Sequence, residues 1–164
     1  LMMIPGILTL VPSFMLYKSL IGLDNYMILI LPQIVGPVFG VFLLRSFFEG
    51  IPEDIFEASR IDGAGEFKIY MKVCLPLSLP IMGTLAIMQI TNAWNDYMWP
   101  MITIKNNDLM TISAGLMLNY VGPTNSNYPI ITAGYLVASI PLIFIFIFAN
   151  KFFIQGLTGS AMKL

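Results

Sequence analysis

The sequence predicts an all-α integral membrane protein, a multi-span helical bundle, and three observations predict it. Apolar residues make up 57% of the 164 residues and charged residues only 10%, with a mean hydropathy of +0.83; a soluble domain carries about 25% charged residues. Apolar runs recur at the length of about 20 residues that a helix needs to cross a bilayer. No run shows the period-2 alternation of a barrel strand. Disorder is excluded by the same hydrophobicity. A net charge of −1 leaves no basic surplus for nucleic acid. There is no histidine and one cysteine, Cys74, which removes the usual general base, the His-paired nucleophiles and the usual zinc site, and leaves no internal disulfide.

Four spans follow in order: Leu1 to about Leu20, Tyr26 to Phe48, Leu77 to Ile104, and Pro129 to Phe153. Prolines at 5, 12, 32, 37, 80 and 141 lie in or at the ends of these runs. In water they would argue against helices, whereas in a bundle neighbouring groups re-satisfy the freed carbonyls. A charged stretch, Glu49–Lys72, separates the second and third spans, and a polar one, Lys105–Tyr128, the third and fourth. Within the latter, Leu109, Ile112, Leu116 and Tyr120 share one face of a short outer or re-entrant helix. A tail from Ile154 to Leu164 closes the chain. Arg45, Arg60, Lys68, Lys72, Lys151 and Lys163 fall on the side of the charged loop and tail, against Lys18 and Lys105 on the other. Six against two makes that side cytoplasmic. Leu1 opens inside an apolar run with no basic segment before it, so it does not read as a signal peptide. The expectation is a longer protein with spans upstream.

The loop of about 49–76 is the most informative part. Pro52 suits the first helical position, and Glu53 and Asp54 complement the positive helix end. Ile51, Ile55, Ala58 and Asp62 form one stripe, and Glu57 and Arg60 stand at i,i+3. Gly63 suits the left-handed position past a helix end. A second short helix from about Glu66 to Val73 places Phe67, Tyr70, Met71 and Cys74 on one face, and Pro76 closes it. By pattern alone two readings stand: an amphipathic loop on lipid or on its own bundle, or a dock for a soluble partner.

Glu57-Ala58-Ser59-x-x-Asp62-Gly63-Ala64, eight residues, then Val73-Cys74-Leu75-Pro76 resembles the EAA loop of binding-protein-dependent ABC importer permeases. The family pattern is Glu-Ala-Ala-x-x-Asp-Gly-Ala, eight residues, Ile-x-Leu-Pro, so Ser59 and Val73 are the departures. Trp94-Asn95-Asp96-Tyr97-Met98-Trp99-Pro100 and Gln155-Gly156-Leu157-Thr158-Gly159 are similar to segments of the carbohydrate-uptake (maltose and multiple-sugar) branch. The resemblance covers nearly the whole chain and corresponds to the last four of six usual spans. It implies a single, partial permease domain over 1–164 in a prokaryotic cytoplasmic (inner) membrane. It implies that the loop couples to an ATPase through Glu57, Ala58, Ser59, Asp62, Gly63, Ala64, Leu75 and Pro76, with Glu57 as polar anchor and Gly63 as the turn between the helices. It implies as partners a second homologous permease, two copies of a cytoplasmic ABC ATPase, and an extracytoplasmic solute-binding protein. ATP and Mg would be held by the ATPase, with no cofactor or metal in this chain.

On the third span, Gln89, Asn92, Asp96 and Trp99 fall within roughly 80° of one another on a helix. Polar groups in a span face protein or water. Amides, a carboxylate and an indole suit a neutral sugar, so this face is a candidate substrate path. The alternative is an aromatic belt of Trp94, Tyr97 and Trp99 with helix-bridging amides. Gly36 and Gly40 read as close helix packing. No phosphate loop, nucleophile elbow or zinc-protease motif occurs in the sequence, so the chain reads as a transport subunit and not an enzyme. The alternatives left open are a permease for an amino acid, peptide or phosphate, and a scaffold or channel subunit without an ATPase.

Overall fold

A computed structural model describes residues 3–35, 38–121 and 127–161, with residues 35 and 150–161 described by their backbone alone. Among the described residues every regular element is a helix. Helix α1 (Gly6–Ile21) is followed by α2 (Tyr26–Val35), α3 (Val38–Glu49), α4 (Glu53–Ile61) and α5 (Glu66–Ile69). A π-turn, Tyr70–Cys74, leads into α6 (Leu75–Asn95), then α7 (Met98–Thr103), a 3₁₀ turn (Asn107–Leu109), α8 (Ile112–Tyr120) and α9 (Tyr128–Ala161).

Among the described residues three stretches are long and apolar enough to cross a membrane: Tyr26–Glu49 with 24 residues, Glu66–Asn95 with 30, and Tyr128–Ala149 with 22. The expected first span differs. Helix α1 has 16 residues, about 24 Å at 1.5 Å per residue, against a hydrocarbon core of about 30 Å. It ends at Gly22, whose φ is 78° and whose N–H donates to the Lys18 carbonyl at 3.1 Å.

Two further boundaries depart from the sequence expectation. Pro76 does not close a short helix. The chain turns continuously from Glu66 to Asn95, because the π-turn, in which the Leu75 N–H reaches back to the Tyr70 carbonyl, accommodates a residue with no N–H of its own. The third span also ends at Asn95, not Ile104. Pro100 withholds the N–H that would continue a helix onto Asp96, and the Asp96 carboxylate instead accepts the Trp99 N–H at 3.2 Å, starting α7. Helix α9 continues through the expected tail as far as Ala161. Gly36 and Lys163 lie outside the described residues.

The described residues group into two compact units. One is formed by Leu1–Pro37 with Gln89–Phe144. Its core is Ile28, Trp99 and Ile104, ringed by Leu10, Phe14, Tyr17, Ile21, Leu23, Leu29, Leu109 and Met110. Helix α8 buries Ser113 and Ala114 while Ile112 and Tyr120 stay exposed, so its packed face is not the apolar stripe expected. Of that stripe Leu116 does pack closely, in the space that a Cβ on Gly134 of α9 would need. The other unit is formed by Val38–Met88 with Ile145–Leu164. It buries Gly40, Ile69, Ser78, Ile81 and Thr84.

Candidate functional site

The loop between α3 and α6 is built by local rules. Gly50 and Ile51 donate to the Phe47 and Phe48 carbonyls at 3.0 and 3.1 Å, turning the chain out of α3. Pro52 then precedes α4, whose first turn carries Glu53 and Asp54, favourable near the positive helix end. At the far end the Ala64 N–H donates to the Ser59 carbonyl at 3.1 Å and the Gly63 N–H to the Arg60 carbonyl at 3.0 Å. That pair of bonds is a Schellman motif, and it requires the left-handed residue that Gly63 supplies at φ 75°. Nothing lies within 4 Å of where a Cβ on Gly63 would stand, so the demand there is conformational and not steric. Helix α5 begins two residues past Ala64, at Glu66, its Lys68 and Ile69 N–H groups both reaching the Gly65 carbonyl.

The two short helices are tied across the turn by Arg60 Nε donating to Glu66 Oε1 at 2.9 Å. Sequence spacing had pointed to Glu57 as the partner of Arg60; the turn brings Glu66 nearer, and Glu57 contributes only a weaker through-space attraction. The hydrogen bond from Arg60, and then its charge, hold the Glu66 carboxyl below its ordinary pKa. The same two influences of Glu66 raise that of Arg60.

The segment displays apolar surface to the outside. Ile61 is 86% exposed and Phe67 77%, and these flank the Gly63 turn on either side. Ile55, Tyr70 and Met71 are exposed as well. Of the residues assigned to coupling, Glu57, Ala58, Asp62, Gly63 and Pro76 are exposed, and Ser59, Ala64 and Leu75 are partly covered. The Ser59 hydroxyl donates to the Ile55 carbonyl at 2.8 Å within α4. Burying Ile61 and Phe67 against a partner is worth about 1.5–3 kcal/mol each before the costs of association.

The residues expected on one face of the third span are distributed differently. Gln89, on the last turns of α6, donates through Nε2 to Gln33 Oε1 at 2.7 Å and to the Gln33 carbonyl at 3.3 Å. Asn92 is exposed. Asp96 caps α7, and Trp99 lies on α7, only 8% exposed. Trp99 donates its indole N–H to the Ile28 carbonyl at 2.7 Å and meets Tyr17 edge-on at 5.8 Å between centroids. Trp94 donates to the Ala138 carbonyl of α9 at 3.1 Å and accepts the Ser113 hydroxyl of α8 on its own carbonyl. So Gln89, Asp96 and Trp99 share one neighbourhood with α2.

That neighbourhood holds a cleft of about 300 Å³, lined by Gly6, Thr9, Leu10, Ser13 and Tyr17 of α1, Pro32 and Gln33 of α2, Asp96, and Trp99. The hydroxyls of α1 and the Gln33 amide were missed by sequence reasoning. The signal that could have found the hydroxyls is the run Thr9, Ser13 and Tyr17, spaced by four on a mostly apolar helix. At the end of the same unit the turn between α1 and α2 is fastened. Asp24, in the left-handed region at φ 57°, donates its N–H to the Thr103 carbonyl at 3.1 Å. Its carboxylate accepts the N–H groups of Lys105 and, at 2.9 Å, Asn106. Those two bonds, Lys105 foremost, hold its pKa down. Asn25 caps α2 by accepting the Ile28 N–H at 3.1 Å.

Comparison with known proteins places this geometry among transport components. The family model for binding-protein-dependent transport system inner membrane components matches residues 1–159. The arabinooligosaccharides transport system permease protein AraQ of Halalkalibacterium halodurans is 37% identical over 99% of this chain and 57% of its own length. The alpha-glucoside transport system permease protein AglG of Rhizobium meliloti is 28% identical over 99% of this chain and 44% of its own length. Among solved structures, a bacterial ABC transporter involved in the import of the acidic polysaccharide alginate superposes with a TM-score of 0.67. It is 26% identical to the chain, covering 87% of this chain and 55% of that one. The chain thus spans about half the length of the curated relatives it matches.

Proposed function

The chain belongs to the family of binding-protein-dependent transport system inner membrane components, and from that premise we propose that it is a permease component of an ATP-driven importer for a sugar or oligosaccharide. The observation that carries this reading is the loop at 53–76: two short helices set at a fixed angle by the Schellman turn at Gly63, with Ile61 and Phe67 displayed on either side of it. A surface of this kind, on the side of the membrane to which the lysines and arginines assign the loop, fits a groove in a cytoplasmic ATPase. Glu57, exposed on α4, would fix register there by a charge-assisted contact. Two such ATPases would hold the ATP and Mg and perform the hydrolysis. A second permease would supply the other half of the path, and an extracytoplasmic binding protein would deliver the solute. Closure of the ATPases would draw the loops together and turn the spans outward, and hydrolysis would reset them.

Gln89, Asn92, Asp96 and Trp99 are proposed as part of the substrate path, now together with the cleft that Asp96 and Trp99 line. Support comes from the chemistry of its lining: hydroxyls at Thr9 and Ser13, an amide at Gln33 and a carboxylate at Asp96 offer donors and acceptors to sugar hydroxyls, and Tyr17 offers an aromatic ring. The names of the relatives, an arabinooligosaccharide and an alpha-glucoside permease among them, favour the same class of solute.

The test is crosslinking in assembled transporter. Cysteines placed at Ile61 and Phe67, on a Cys74→Ser background, should crosslink to the ATPase in working membranes, with yields that change when nucleotide is added. Absence of any crosslink from positions 52–74 overturns the coupling assignment.

A further inference from the structure

Helix α2 contains Pro32, and two of its carbonyls without a helical donor are satisfied from outside it. Proline has no N–H, so Pro32 leaves the carbonyl four residues earlier, that of Ile28, without its helical donor. Ile28 is fully buried, and a buried carbonyl without a partner is costly. The group that reaches it is the Trp99 indole N–H, at 2.7 Å. The Gln33 carbonyl lies in the last four residues of α2, where helical donors run out. The group that reaches this one is the Gln89 amide, at 3.3 Å, while the same nitrogen donates to the Gln33 side chain at 2.7 Å.

The geometry points to Trp99 and Gln89 as positioning residues that supply α2 with the donors that Pro32 and the end of the helix withhold, and so fix the wall of the cleft that Pro32 and Gln33 form. Their donors are directed into α2, so the indole N–H of Trp99 is engaged by backbone and is not on offer to a solute. The residues left to meet a ligand are those of α1, the Gln33 side chain and Asp96. A proline-opened turn is a place where a helix bends with little loss of its own hydrogen bonds. Two side-chain latches, one at such a turn and one at the helix end, therefore decide whether the wall is held in one position or moves.

The experiment restores by backbone what is removed by side chain. The full-length permease, assembled in its transporter and reconstituted in liposomes, carries Ser13→Cys on a Cys74→Ser background, so that a maleimide reports access to the cleft. Trp99→Phe keeps a ring and loses the donor. It should raise the labelling rate about fivefold, the population shift expected for loss of one such bond. Adding Pro32→Ala gives α2 its own N–H for the Ile28 carbonyl and should return labelling to within about twofold of the starting rate. Were Trp99 merely filling space, the alanine at 32 would restore nothing. The inference is overturned by unchanged labelling in Trp99→Phe, or by a double variant no better than the single. If Trp99→Phe fails to accumulate, membrane level becomes the readout, and its recovery or non-recovery with Pro32→Ala decides in the same two directions. Labelling does not depend on which solute is carried, so its failure leaves the proposed transport function standing.

Discussion

The coupling loop and the cleft unit are held together in opposite ways. In the loop from Glu53 to Cys74 the determining bonds join residues a few positions apart: Ala64 to Ser59, Gly63 to Arg60, Arg60 to Glu66. In the cleft unit they join residues far apart in the chain: Gln89 to Gln33, Trp99 to Ile28, Asn106 to Asp24. The loop spends its apolar side chains on the outside, with Ile61 and Phe67 almost fully displayed, whereas the cleft unit buries Ile28, Trp99 and Ile104. A segment that must grip a separate partner can be specified by its own backbone and keep its side chains for the partner. A segment that must enclose a path has to be closed by its own distant parts.

The contrast is sharpest, and most easily broken, at Gly63. A left-handed conformation costs a residue with a Cβ roughly 1–2 kcal/mol, and a β-branched one more. Since no atom crowds the site, the order of damage should follow backbone preference alone: Gly63→Val worst, Gly63→Ala next, and Gly63→Asn nearly tolerated because asparagine visits this region. Uptake and ATPase stimulation by loaded binding protein should fall about tenfold or more in Gly63→Val with membrane level unchanged, in line with a coupling loss above 1.4 kcal/mol. Equal activity for valine and asparagine would mean that the loop is not set by its local turn.

A smaller effect is expected in the cleft unit at Asp24, where one side chain accepts two backbone N–H groups about eighty residues away. Asp24→Ala removes both acceptors and places alanine at φ 57°, so the purified transporter should melt several degrees earlier. Asp24→Asn keeps an acceptor oxygen and tolerates the left-handed backbone, and should lose less. The Asp24 carboxyl is held below its ordinary value, first by the Lys105 N–H and then by that of Asn106. Its contribution is therefore complete above the unfolded value of about 3.9 and is lost as the pH falls through the lower folded value. Melting temperatures of wild type and Asp24→Asn should converge below that range and not at neutral pH. Melting of Asp24→Ala at the wild-type temperature would show that the turn between α1 and α2 needs no distant tie.

How much of this was legible in the sequence divides along the same line. The loop could be read almost residue by residue, since Pro52, the acidic first turn and Gly63 act over a few positions. The apolar stretches were legible from length and composition. Proline was the main source of error, because its effect depends on what else is near. Pro76 was read as a stop, yet a π-turn carries the helix through it. Pro100 was passed over, yet α6 ends short of it and Asp96 starts a new helix. Gln89 and Trp99 were singled out as candidates for a substrate path, and both donate to the backbone of α2. Their partners, the carbonyls of Ile28 and Gln33, could not be named, because no local pattern says which distant donor a freed carbonyl will meet. The familial motif around Glu57 was legible as a resemblance and reports on partners that no single chain contains.

The smallest effect belongs to Arg60 and Glu66, the one ion pair that bridges the two helices of the loop at 2.9 Å. Both side chains are largely in solvent, at 48% and 76% exposure, where salt screens the attraction and ordering two long side chains offsets it. The Schellman bonds already fix the turn, so Glu66→Gln, which keeps an acceptor and drops the charge, should leave uptake within about twofold of wild type. Glu66 is held below its ordinary value by Arg60, so the pair is intact above the unfolded value of about 4.3 and weakens only as the pH falls through the lower folded value. Uptake by wild type and Glu66→Gln should accordingly run parallel between pH 6 and pH 8. A tenfold loss in Glu66→Gln, relieved by high salt or low pH, would mean that the angle between α4 and α5 is held by charge and not by Gly63, and the two regions of the molecule would then differ less than their backbones suggest.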